Sequence, residues 1–120
     1  AVSNYEPGGV RVFDAETLGI VADIPAGAKT IGLADAPGRR FIWSLWDTGE
    51  TWIADFSGEK LLLTKLADVG KNPFDAVLTD DGRTYLVGLF GEKGVTAIDL
   101  WADEPKPMPA SRVSGLPGKL

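Results

Sequence analysis

The chain is 120 residues long, enough for one modest core. Its formal net charge of -5, from 12 basic and 17 acidic residues, argues against a nucleic-acid partner, whose phosphates call for a basic surface. It has neither Cys nor His, which excludes a disulfide framework and any Cys/His site for zinc or haem iron within these residues, and no apolar run approaches the roughly 18 residues of a membrane span.

Gly and Pro punctuate short apolar runs throughout, the pattern of many short strands. Val2 to Tyr5 reads as the tail of a strand, and Glu6-Pro7-Gly8-Gly9 as a tight turn. The opening AVSNYEPGG has no signal-peptide character and suggests a chain cut inside a longer protein. Val10 to Asp14 alternates, with Val10, Val12 and Asp14 on one side. Ile20 to Ile24 is an outer strand. A four-strand unit follows: A, Thr30 to Asp35; B, Arg40 to Trp46; C, Thr51 to Phe56; D, Leu61 to Leu66. A third unit has A at Phe74 to Thr79, B at Thr84 to Phe90 and C at Val95 to Leu100. Beyond Trp101, Pro105, Pro107 and Pro109 are expected to form a long outer loop, because proline interrupts a ladder. A weak fourth strand is expected near Ala110 to Val113.

Two markers repeat in step. Tyr5, Trp46 and Phe90 close the B strands, and Asp14, Asp55 and Asp99 sit late in the C strands. Both series advance by the same two intervals, each roughly forty residues, the period of a four-stranded propeller blade. The fold expected is all-β, a β-propeller segment of about two and a half blades: 1–27 a half blade, 28–70 a full blade, 71–120 a third. So few blades do not close a ring. Either the chain is a segment of a longer protein, the favoured expectation, or several copies assemble.

The stretches SLWDTGETWIADFSG and GKNPFDAVLTDDGRTYLVGLFGE, with FDAETLGIVADIPAG before them, resemble the NirF family, relatives of the haem d1 domain of cytochrome cd nitrite reductase. The resemblance covers about Val2 to Trp101. It implies an eight-bladed propeller in the periplasm that binds a late haem d1 precursor and takes part in its oxidation to haem d1. The ligand implied is haem d1 or its dihydro form. The implied partners are nitrite reductase and other haem d1 maturation proteins. The family's important His does not lie within this chain, and no metal ligand is identifiable in it.

In a propeller the ligand face is built from the B–C turns and the D-to-A crossovers. Here that gathers Tyr5-Glu6, Ala28 to Thr30, Trp46 to Thr48, Lys71 to Asp75 and Phe90 to Lys93. A carboxylated tetrapyrrole calls for flat rings and ammonium groups. The candidate binding residues are therefore Tyr5, Lys29, Trp46, Lys71, Phe74 and Phe90. Lys29 and Lys71 precede successive A strands and are expected to clamp carboxylates or simply to be solvated. Asp47, directly after strand B beside Trp46, is the candidate for acid–base work; the competing expectation is an Asp that caps its own turn. Asp75 is expected to bond backbone at the start of its strand. Glu6, Asp47, Glu50 and Glu92 are on one rim, where they could gather around a cation. Asp14, Asp55 and Asp99 are expected to be turn residues, Arg39 and Arg83 turn or inter-blade partners, and Trp43 and Trp52 core between blades. Two other functions compete: a haem d1-binding domain of a nitrite-reductase-like protein, and a non-enzymatic propeller interaction module.

Overall fold

A computed structural model describes residues 1–111. Among these residues there is no helix: eleven strands form three antiparallel sheets, one of three strands and two of four. The first sheet is β1 (Val2–Ser3), β2 (Val10–Phe13) and β3 (Ile20–Ile24). The second is β4 (Thr30–Ala36), β5 (Arg40–Leu45), β6 (Glu50–Asp55) and β7 (Leu62–Leu66). The third is β8 (Pro73–Leu78), β9 (Thr84–Leu89), β10 (Val95–Asp99) and β11 (Pro107–Ser111). Each four-stranded sheet keeps sequence order, so successive strands are joined by hairpins and the chain moves on through a D-to-A crossover.

The sheets stack through two apolar layers. One holds Val10, Val12, Ile24, Trp43, Leu45, Trp52 and Ala54, between the first and second sheets. The other holds Ile42, Ile53, Tyr85, Val87, Ile98 and Leu100, between the second and third. Strand β5 therefore contributes to both layers: Ile42 to one, Trp43 and Leu45 to the other. That is why Ile42 to Leu45 is buried without interruption where a one-sided strand would alternate. Trp43 and Trp52 lie in the layer between the sheets, as expected, with ring centroids 6.3 Å apart.

The proline segment differs from its expectation. Pro107 and Pro109 belong to β11, which pairs with β10 through Ile98↔Pro107, Ala97↔Met108 and Thr96↔Pro109. The two prolines are two residues apart, so both missing donors fall on one side of the strand, and β11 has a neighbour on only one side. A ladder at a sheet edge tolerates what a central strand does not. The Val113 end of the expected strand lies outside the described residues.

One end of the sheets carries the C–D turns, and each closes on an aspartate. Asp14 Oδ1 accepts from the Glu16 and Thr17 N–H groups, and Asp55 Oδ1 from the Ser57 N–H and hydroxyl. Asp99 accepts from the Trp101 N–H and from Arg83. These donors hold each carboxyl below the usual carboxylate range, led by the Thr17 N–H at Asp14, the Ser57 hydroxyl at Asp55 and Arg83 at Asp99. Arg83 pairs within its own sheet and lies 5.2 Å over the Trp101 ring, which is otherwise exposed. At this end Arg40 ties the second sheet to the third, donating to Pro37 O at 2.7 Å and to Leu100 O at 2.8 Å.

Candidate functional site

At the opposite end the B–C turns and the crossovers are knitted together, as a propeller's ligand face requires. The Trp46 N–H donates to Lys29 O at 2.8 Å. The Phe90 N–H donates to Asn72 O at 2.9 Å, and the Gly91 N–H to Lys71 O at 3.1 Å. The Val69 N–H donates to Gly49 O, and Thr96 Oγ1 to Val69 O at 2.6 Å. The packing is close enough that a Cβ on Gly49 would lie 2.5 Å from Gly70 O. This turn accepts no side chain there.

Two corners result. Between the second and third sheets, Trp46, Phe74 and Phe90 form one aromatic cluster. Ring centroids are 5.8 Å apart for Trp46–Phe74, 5.2 Å for Trp46–Phe90 and 6.0 Å for Phe74–Phe90. Phe74 is 39% exposed, and the Asn72 side-chain amide donates to Trp46 O at 3.2 Å, tying the crossover to the same corner. Three residues far apart in the sequence thus form a single apolar shelf.

The corner between the first and second sheets is polar. Lys29 Nζ lies 3.6 Å from Glu6 Oε1 and 5.5 Å from the centroid of the exposed Tyr5 ring. The Gly9 N–H donates to the buried Thr30 hydroxyl at 2.8 Å, which locks the Glu6–Gly9 turn onto the start of β4. Tyr5 and Lys29 are therefore together, but away from the aromatic shelf in partner set. The two lysines that are equivalent by repeat differ in company: Lys29 has Glu6, whereas the Lys71 ammonium meets no carboxylate within 4.0 Å among the described residues.

Asp47 does not cap its own turn. Its Oδ2 accepts from the Lys29 backbone N–H at 3.0 Å. Glu92, at the matching place on the next sheet, accepts from the Lys71 backbone N–H at 3.1 Å. An acid after strand B pinning the crossover lysine that leads into its own sheet is a repeat feature that sequence spacing alone did not reveal. The signal was present, since both acids follow the aromatic that closes strand B by one or two residues. Replacing Asp47 by asparagine keeps a carbonyl oxygen for that N–H, so the urea midpoint should stay near wild type. Asp47→Ala should lose about 1 kcal/mol. Equal midpoints for the two variants would show that the cap contributes nothing.

Glu50 is also engaged locally, accepting from Trp52 Nε1 at 3.2 Å. Among the described residues no three acids gather as a cation site, so the expected rim cluster of Glu6, Asp47, Glu50 and Glu92 does not form. Asp75 accepts from the Ala76 N–H at 2.9 Å, at the start of β8 as expected.

Antiparallel four-stranded sheets stacked face to face, with their crossovers gathered on one rim, define a segment of a d1-type propeller. The family model described as "Cytochrome D1 heme domain" matches residues 1–110, and the chain belongs to that family. It is 55% identical over 113 residues to "Protein NirF" of Pseudomonas aeruginosa and, equally, to "Protein NirF" of Stutzerimonas stutzeri. Each match takes in 87% of this chain and 29% of the relative, so the chain spans less than a third of the length of these curated relatives. Among solved structures it is similar to "Dihydro-heme d1 dehydrogenase NirN in complex with DHE", at TM-score 0.75 and 26% identity, over 98% of this chain and 26% of that one. It also shares its fold with a functionally unknown protein from Desulfotomaculum acetoxidans, at TM-score 0.73 and 14% identity, over 93% of this chain and 37% of that one.

Proposed function

We propose that the chain forms part of a periplasmic propeller protein that binds a late haem d1 precursor on the face described above and takes part in its oxidation to haem d1. The observation that carries this reading is the aromatic shelf. Trp46, Phe74 and Phe90 converge on the rim where the crossovers meet, with centroids 5.2–6.0 Å apart. Flat apolar side chains suit the faces of a macrocycle, and the ammonium groups nearby suit its carboxylates. The residues present fit the group in that respect. They offer no imidazole and no thiolate for its iron, since the chain has no His and no Cys.

Membership in the cytochrome D1 heme domain family and similarity to a protein named as a dihydro-heme d1 dehydrogenase support the choice of ligand. Dehydrogenation of a dihydro macrocycle removes two protons with two electrons, and the electrons must pass to an external electron acceptor, since the chain, with no Cys, carries no thiol pair to take them. Asp47, exposed beside Trp46, is the carboxylate proposed to accept a proton. Delivery of the product to nitrite reductase or to other haem d1 maturation proteins belongs to the same proposal.

The test is a titration of the protein in its natural full length with dihydro-haem d1. Binding should shift the Soret band and quench Trp fluorescence at micromolar ligand. Trp46→Ala should weaken affinity about tenfold, equivalent to ~1.4 kcal/mol. Spectra unchanged by ligand, or a Trp46→Ala variant with wild-type affinity, would overturn the reading.

A further inference from the structure

The aromatic shelf is assembled from three separate stretches of chain, and one polar residue is bonded to two of them. Asn72 lies in the crossover between the second and third sheets, two residues before Phe74. Its carbonyl accepts the Phe90 N–H at 2.9 Å, and its side-chain amide donates to Trp46 O at 3.2 Å. Its φ of 50° is in the left-handed region, which asparagine enters more readily than most side chains. Pro73 follows, fully buried, and fixes the next φ. The amide has little room to swing: a Cβ on Gly91 would run into Asn72 Oδ1 and lie 2.8 Å from Lys71 Cβ. At the other corner Lys29 stands where Asn72 stands, its carbonyl accepting the Trp46 N–H at 2.8 Å. Lys29 also reaches back to the preceding sheet, but with a flexible ammonium, 3.6 Å from Glu6 Oε1 and 5.5 Å from the Tyr5 centroid. The Tyr5 ring there is 45% exposed, and packed rings form only at the corner that has the amide.

We infer that Asn72 is the positioning residue of the shelf. One end of it holds the Trp46 carbonyl on the second sheet, and the other holds the Phe90 N–H on the third. The two rings are thereby set with centroids 5.2 Å apart before any ligand arrives. The inference rests on the binding reading given above and adds to it what makes the shelf a surface for a planar macrocycle. Asn72 acts through Trp46 and Phe90 and has no need to touch the ligand. A surface already ordered spends less of the interaction energy on fixing its own side chains, so the amide contributes to affinity by preorganisation.

The protein in its natural full length is titrated with dihydro-haem d1 as wild type, as Asn72→Asp, as Trp46→Ala and as the double variant, followed by the Soret band. Asn72→Asp keeps the size of the side chain and tolerates the left-handed backbone, but as a carboxylate it has no N–H to donate. It should weaken binding about fivefold, the worth of one hydrogen bond. In the Trp46→Ala background the same change should cost under about twofold, because the ring it positions is gone. The induced circular dichroism of the bound ligand's Soret band should also change shape in Asn72→Asp, since the indole then meets the macrocycle at a different angle. Asn72→Gly takes the φ of 50° without strain and removes only the amide. It should reproduce the loss of affinity, so the answer does not depend on how the aspartate variant folds. Wild-type affinity in either variant of Asn72, or an equal cost of Asn72→Asp with and without Trp46, overturns the positioning role and leaves the binding reading standing. A wild-type protein that binds no ligand, or a Trp46→Ala variant with wild-type affinity, overturns both.

Discussion

Trp43→Ala should cost about 3–5 kcal/mol, the range for emptying a large aromatic site in a packed core. Trp43 is fully buried and stands in the layer that joins the first sheet to the second, against Trp52 and alongside Val10, Val12, Ile24 and Leu45. The first sheet has three short strands and little else to hold it, so the loss should appear there first. Urea denaturation of the full-length protein should show the lowered midpoint, and limited proteolysis should cleave within residues 2–24 before elsewhere. The indole Nε1 finds no hydrogen-bond partner among the described residues. A buried unpaired donor costs about 1–3 kcal/mol, so Trp43→Phe removes a penalty while opening a smaller space. It should cost well under half of what the alanine variant does. If Trp43→Phe proves as damaging as Trp43→Ala, the nitrogen is paired in the folded protein and the core argument needs that partner added. A Trp43→Ala midpoint within 1 kcal/mol of wild type would sink the inter-sheet layer as the main bond between these sheets.

The repeat was legible because its markers perform local jobs at every copy. Asp14, Asp55 and Asp99 each close a hairpin on neighbouring N–H groups, so the same residue type returns at the same place. The aromatics at Trp46 and Phe90 return for a related reason, each beside a crossover. Long-range consequences were not legible in the same way. Asp47 reads locally as a turn-opening residue, yet its partner is the Lys29 backbone, 18 residues earlier. Arg40 bonds Leu100 O, 60 residues away, and nothing near Arg40 in the sequence announces it. The proline strand failed on a local rule applied without position: β11 is an edge, and only an edge excuses two missing donors. Lys29 and Lys71 are equivalent by spacing and unequal in space, because the Glu6 that meets one has no counterpart beside the other.

Tyr85→Phe should cost about 2 kcal/mol, more than the removal of one oxygen atom suggests, because of where that oxygen is. The Tyr85 hydroxyl donates to Gly32 O on the second sheet at 2.8 Å and lies 3.2 Å from Ser44 Oγ, which is 2.9 Å from Thr51 Oγ1. Tyr85, Ser44 and Thr51 are all fully buried. A phenol has one proton, and Gly32 O takes it; Ser44 must then donate to Tyr85, and Thr51 to Ser44. Burial pushes the Tyr85 phenol up, although the Ser44 bond opposes this, so the group stays a neutral donor across the physiological range. Removing the hydroxyl takes the donor from the half-buried Gly32 carbonyl and breaks the order of the chain through the buried Ser44 and Thr51 hydroxyls. Gly32 is also where β4 breaks register, between Ile31 and Ala34, on the inner strand that Lys29 and Thr30 begin. Its φ of 70° suits glycine, and a Cβ there would lie 2.9 Å from the Tyr85 oxygen. Gly32→Ala alone therefore combines backbone strain with a clash, and Tyr85→Phe relieves the clash. The double variant should cost less than the sum of the singles by about 0.5–1 kcal/mol, a coupling that urea denaturation of all four proteins measures. Additive costs would mean that the hydroxyl and the bulge do not meet as described. The network would then be a set of separate bonds and not the clasp that sets the inner strand against the next sheet.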